Sequence, residues 1–184
     1  MSTTFPGTTI EATSLEKGSS KHLFNGIFAA GGITLSQVSI MTGLEPYVIQ
    51  NWVKRGFVSS PVKRVYNREQ FARIIIINML RESLHIDKIC ELIRVISGNV
   101  KNPDDDLIRD DELYHRYVDM IACNDINISN EQSVMSASQN AVDDFIENTP
   151  DSKKKLSRIL RVMLYAHNAS ILRFKAEEIN STLQ

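Results

Sequence analysis

Gln50 and Asn51 are adjacent amides, and a helix over residues 46–56 would bring them to one side together with Tyr47 and Lys54. That is chemistry suited to nucleic acid. An amide pairs bidentately with adenine, a phenol reaches a phosphate or a thymine methyl, and an ammonium binds phosphate or guanine. Ile49, Trp52 and Val53 fall on the other face, where they would anchor the helix. The plain alternative is a polar face that is only solvated, as on most exposed helices. Shortly downstream, Lys63, Arg64 and Tyr66 lie within four positions of one another, where a short β-ribbon would meet the sugar-phosphate backbone. Arg68 and Arg73 extend this basic strip, or else are screened surface charges.

Local signals supply the elements that would position these side chains. Thr34 and Gln37 form a capping-box pair ahead of an apolar stripe of Leu35, Val38 and Met41, and Gly43 stops that helix. Pro46 suits the first position of the next helix, because its missing N–H costs nothing there, and Gly56 suits its end. Two short helices about a tight turn make a helix-turn-helix. Residues 57–66 mix β-formers with Ser59, Ser60 and Pro61 and read as a two-stranded wing. Asn67 with Gln70 caps a further helix containing Ile74, Ile75, Ile76 and Ile77. Four isoleucines alone would suit a buried strand, but the caps and the length favour a helix with neighbours on both sides.

Around this module, residues 1–20 are Ser- and Thr-rich and read as a flexible tail, and 22–30 as a short docked helix. A helix from about His85 to Gly98 has one apolar face, an acidic linker follows at 102–106, and helices are expected near 110–123, 130–147 and 150–179. The expected organisation is thus a tail (1–20), a winged helix-turn-helix domain with supporting helices (21–101), and a helical C-terminal region for dimerisation or sensing (102–184). The long last helix is the candidate subunit interface.

The net charge of −1 conceals a strong pattern. Residues 34–101 carry ten Lys/Arg against five Asp/Glu, residues 102–150 two against twelve, and residues 151–184 seven against three. The basic block coincides with the proposed DNA module, and the acidic block should face away from a duplex.

The stretch from Thr34 to Ile96 resembles the DNA-binding half of MerR-type transcription regulators: the TGL turn, the helix PYVIQNWVKRGFV, the RVY of the wing and the capping Asn67 follow in the same order. Residues from about 34 to 147 also resemble the bacterial uncharacterised family DUF1836. The resemblance implies a winged helix that binds DNA and a long antiparallel dimerisation helix. The chain departs from the MerR pattern in its recognition helix, where Tyr47, Gln50 and Asn51 stand in place of arginine and paired aromatics and only Trp52 and Lys54 keep the usual character. It also lacks the metal-binding cysteine cluster of many MerR proteins.

Catalysis finds no foothold, since His22, His85, His115 and His167 lie in separate segments and no nucleophile elbow, phosphate-cradling loop or HExxH is present. Asp104, Asp105, Asp106, Asp110, Asp111 and Glu112 lack EF-hand spacing and read as dipole-compensating acids rather than a cation site. Cys90 reads as a small buried hydrophobe, and Cys123 is the one candidate redox thiol. With no apolar run long enough for a bilayer and no secretory leader, the expected location is cytoplasmic. The reading is a mainly α transcriptional regulator without cofactor or metal, a homodimer on double-stranded DNA with room for an effector. The rival is a protein-interaction module that uses the winged helix without DNA.

Overall fold

The computed structural model describes residues 3–97, 106–123, 125–147 and 149–183. Among them lie eight helices and four two-residue strands. The strands are β1 (Thr3–Thr4), β2 (Glu11–Ala12), β3 (Ile33–Thr34) and β4 (Val65–Tyr66); the helices are α1 (Ser19–Ile27), α2 (Leu35–Thr42), α3 (Pro46–Lys54), α4 (Arg68–Leu80), α5 (Ile86–Ser97), α6 (Asp110–Cys123), α7 (Glu131–Asn140) and α8 (Ser152–Ser181). The chain is mainly helical. No helix among the described residues is long and apolar enough to cross a membrane.

α4 sits at the centre. Asn67 caps it through its side chain, which accepts from Gln70 N–H at 2.8 Å, while the Gln70 side chain accepts from Asn67 N–H at 2.8 Å. The isoleucines at 74–77 follow in the helix and all four are buried. A helix apolar all round needs cover on every side, and α6, α8 and α2 supply it. Burial of each isoleucine contributes roughly 1.5–3 kcal/mol. An aromatic cluster closes the end near α1, where the Phe24 ring lies 5.5 Å from Phe71, 5.7 Å from Tyr114 and 4.8 Å from His115.

Two expectations are corrected. Residues 3–20 are not a loose tail: β1 and β2 pair antiparallel, Phe5 and Pro6 are buried, and the Pro6 carbonyl accepts from Tyr114 Oη–H at 2.9 Å. The loop between the strands clamps α2 to α4, because the Asn78 side-chain amide donates both to Gly7 O (2.9 Å) and to Thr42 O (3.0 Å). Low apolar content conceals this, since the segment docks through Phe5, a few small or partly buried apolar side chains (Pro6, Ile10, Ala12, Leu15) and its own backbone. Nor does packing divide the chain near 101, because α4 of the first expected domain packs on α6 and α8 of the second.

Other boundaries shift slightly. α7 ends at Asn140, short of 147. Gly98, Asp104 and Asp105, and the 102–106 linker apart from Asp106, lie outside the described residues. Asp110 and Asp111 do more than offset a helix dipole. Buried at the start of α6, Asp110 pairs with Arg73 at 2.7 Å, Asp111 pairs with Arg109 at 3.0 Å, and Arg73 also donates to Ser97 at the end of α5.

Two imidazoles, His115 buried and His167 half-buried, join helices. His115 Nδ1 lies 2.9 Å from Ser20 Oγ and His167 Nδ1 lies 2.8 Å from Tyr117 Oη. Burial pushes both down to about 4, from an ordinary value near 6.5. Burial pushes Asp110 the other way, up to about 6, against the pull of Arg73. The unfolded chain therefore takes up two histidine protons that the folded chain refuses, and the folded chain holds one aspartic proton that the unfolded chain releases. Stability should fall as pH drops from 6.5, and between pH 6 and about 4.5 the net uptake of one proton corresponds to about 1.4 kcal/mol per pH unit. Urea titrations across this range should show that slope, and Asp110→Asn should steepen it; a flat profile would contradict the burial of the histidines.

Gly7 offers a second check. Its φ is +74°, and a Cβ there would meet Ile75 O at 2.2 Å. Gly7→Ala should destabilise by more than about 1 kcal/mol, read as a lowered urea midpoint.

Candidate nucleic-acid interface

Residues 33–70 build one small unit from local rules. Thr34 caps α2, its Oγ1 accepting from Gln37 N–H at 3.4 Å while Gln37 Oε1 accepts from Thr34 N–H at 2.8 Å. Gly43, at φ +69°, ends α2 in the left-handed region that glycine adopts without strain. The turn that follows is pinned from within. Thr42 Oγ1 donates to Val38 O at 2.7 Å and accepts from Leu44 N–H at 3.3 Å, and Leu44 is buried. Pro46 then opens α3 at its first turn.

α3 separates its faces sharply. Ile49 and Trp52 are buried and Val53 is half-buried against the core. Gln50, Asn51 and Lys54 are exposed, and Tyr47 is 70% exposed. None of these four makes a side-chain hydrogen bond or ion pair with another described residue. The four residues expected on one outward face are thus brought together there. The helix is shorter than the 46–56 expected: Arg55 caps it, with its guanidinium 4.6 Å from the Phe57 ring centre, and Gly56 follows at φ +76°.

The ribbon is also shorter than 57–66. β4 pairs antiparallel with β3, with Ile33 opposite Tyr66 and Thr34 opposite Val65, and only the Val62–Val65 bridge extends it. Val65 N–H donates to Val62 O at 2.9 Å, closing a two-residue turn whose central residues are Lys63 (φ 51°) and Arg64 (φ 66°). Turns with two positive φ values favour Asn and Gly. Here they hold two long cations, both exposed, at a cost of roughly 1–2 kcal/mol per residue.

Tyr66 and Arg68 fall outside this exposed set. Tyr66 is 3% exposed, so its phenol packs the ribbon onto the core instead of gripping a backbone, and burial raises its pKa. Alternation along β4 accounts for this: Val65 stays half-buried while Tyr66 turns inward. Arg68 is half-buried, donates from Nη2 to Asn25 Oδ1 at 2.7 Å, and lies about 6 Å from the Phe24 and Phe28 ring centres. Arg73 is committed to Asp110 and Ser97. The sequence places all three in a basic strip, but Tyr66 is committed to the core and both arginines to partners from distant segments.

Gln70 is the residue that spacing undervalued. Besides completing the Asn67 cap, its Nε2 donates to Ser59 O (3.1 Å) and Ser60 O (3.0 Å), so one buried amide holds the loop ahead of the hairpin to the start of α4. The capping-box signature shows two of its five hydrogen bonds. The other three, to Ser59 and Ser60, join residues ten and eleven positions apart and have no local signal.

These elements carry a family match. Residues 33–117 match the family described as Domain of unknown function (DUF1836). The match runs from β3 into α6, just under half of the chain, and ends well before residue 147. No curated protein and no solved structure matches the chain. Among the described residues no group of three or more His, Cys, Asp or Glu could hold a metal ion.

Gln70→Glu tests the double role, because a carboxylate keeps the capping acceptor but cannot donate to Ser59 and Ser60. Gln70→Glu should cost about 1–3 kcal/mol and speed amide exchange in residues 59–66. Gln70→Ala, which also loses the cap acceptor, should cost more; an unchanged stability in Gln70→Glu would show that the loop bonds contribute nothing.

Proposed function

We propose that the chain is a sequence-specific, DNA-binding transcriptional regulator whose residues 33–70 form a MerR-like winged helix-turn-helix. In this reading α3 lies in the major groove, Gln50 and Asn51 read base edges, and Tyr47 and Lys54 contact phosphate or the groove edge. The hairpin presents Lys63 and Arg64 to the backbone. The observation that carries the proposal is the outward face of α3: four side chains able to read or grip DNA, with no side-chain hydrogen bond or ion pair among the described residues, on a helix locked from behind by Ile49 and Trp52. Two cations held in strained turn conformations add to it, since strain of this kind tends to be kept where the side chains have work to do. The protein acts without catalysis, in the cytoplasm, as a homodimer. Its recognition helices would enter successive major grooves about 34–36 Å apart on a near-palindromic operator.

The rival is a protein-binding winged helix, and Val62, 73% exposed beside Lys63, favours it. Salt separates the two. Fragments selected from random genomic DNA by the purified protein should share a motif, and affinity for it should fall steeply as salt rises. Lys63→Ala with Arg64→Ala should flatten that slope by about two ion equivalents, whereas Gln50→Ala or Asn51→Ala should relax base preference. Failure to enrich any motif at low salt would leave the protein-binding reading.

Lys63→Asn separates binding from stability. Asparagine tolerates the left-handed region better, so this variant should be up to about 1 kcal/mol more stable yet bind DNA more weakly; a joint loss of both would place Lys63 among the structural residues.

A further inference from the structure

α7 packs on α8, and a cleft of about 640 Å³ lies between the second half of α7, the chain from Asn140 to Glu147 and the first three turns of α8. That volume suits a small organic molecule. The cleft is built from fixed parts. Ser157 Oγ donates to Ser138 Oγ at 3.1 Å across the two helices. The wall after α7 is fastened to α8 by Lys153, whose backbone N–H donates to Glu147 Oε1 at 3.0 Å and whose Nζ donates to Asp143 O at 2.6 Å.

Three cations on α8 line this cleft without a partner. Lys154, Arg158 and Arg161 are spaced by four and then three positions, so they share one face of the helix. None of them makes a hydrogen bond or ion pair with another described residue. Arg73, Arg109, Arg116 and Arg173, by contrast, are each committed to carboxylates. Arg161 goes further: its Nε is buried and has no acceptor among the described residues. A charged donor withdrawn from water is costly to leave unmatched.

The charge and the shape of the cleft narrow what it would take. Its lining carries four cations, counting Lys153, and two carboxylates, Asp143 and Glu147. The surplus of two positive charges matches a phosphate monoester, which carries roughly −1.5 to −2 near neutral pH. Guanidinium forks meet phosphate oxygens in pairs. Opposite them, the exposed amides of Gln139 and Asn140 offer both donors and acceptors to hydroxyl groups. We propose that this cleft binds a small phosphate monoester with a hydroxyl-bearing body, its phosphoryl group held by Lys154, Arg158 and Arg161. A duplex fits less well, because its line of phosphates would also meet Asp143 and Glu147, both exposed beside the cations, whereas a single phosphoryl group can settle among the three cations alone. The cleft lies outside residues 33–117 and shares no residue with α3 or the hairpin. It therefore follows neither from the family match nor from the proposed reading of DNA.

Calorimetric titration of the full chain, without DNA and in a buffer free of phosphate and sulfate, tests the site. The probes are the phosphate monoesters of glucose and of adenosine, the two bodies without phosphate, inorganic phosphate and sulfate. At least one monoester should bind once per chain with a Kd at or below about 1 mM, and the preferred one distinguishes a sugar body from a nucleoside body. Inorganic phosphate and sulfate should bind at least about tenfold more weakly, and the unphosphorylated bodies not measurably. Arg158→Gln and Arg161→Gln should each weaken monoester binding roughly tenfold. Lys175→Gln, the same loss of charge on the exposed far part of α8, should not. Arg158 is exposed, so its variant remains informative even where Arg161→Gln disturbs packing. No saturable binding of either monoester at about 10 mM, equal affinity for sulfate, or indifference to Arg158→Gln would each overturn the proposal. Weaker duplex binding by chains carrying Lys154→Gln with Arg158→Gln, in the absence of any monoester binding, would also overturn it and make these cations a nucleic-acid contact.

Discussion

The enclosure of α4 is the constraint on which the rest of the molecule depends. Its four consecutive isoleucines leave it no solvent side, so α6 and α8 must come in from the C-terminal half and α2 from the N-terminal half. The same helix fixes the hairpin from its first turn through Gln70, holds α2 in place through Asn78, and ties the end of α5 to the start of α6 through Arg73. The exposed face of α3 is therefore defined against a rigid reference, although α3 contributes only two fully buried large side chains of its own.

Such rigidity matters for the proposed reading of DNA, because base contacts discriminate only when the side chains that make them arrive in register. Trp52 and Ile49 set the rotation of α3, and the pinned turn at Thr42–Leu44 sets its angle to α2. The hairpin is held by less packed area than α3, through Tyr66, together with one buried amide and a two-residue pairing.

Much of this was legible in the sequence where the determinants are local. Both capping boxes, the stops at Gly43 and Gly56, the helical state of the isoleucine run and the split faces of α3 follow from residues within a turn or two of one another. The failures share a different cause. The docking of residues 3–12, the burial of Tyr66, and the engagement of Arg68 and Arg73 depend on partners that lie far along the chain or across a strand pair, and composition or charge counting assigns such residues to the surface by default. Gln70 falls between: its cap was visible and its loop bonds were not.

The contact between Pro6 and Tyr114 has a bearing on biosynthesis. Its partners are 108 residues apart, so the earlier-made segment must wait for α6 before this contact can form. At roughly 5–20 residues per second, the hairpin formed by Thr3 to Ala12 waits on the order of five to twenty seconds for α6 to be made. Until then the side of α4 that α6 covers stays open, a window in which chaperones or a neighbouring nascent chain have access to it.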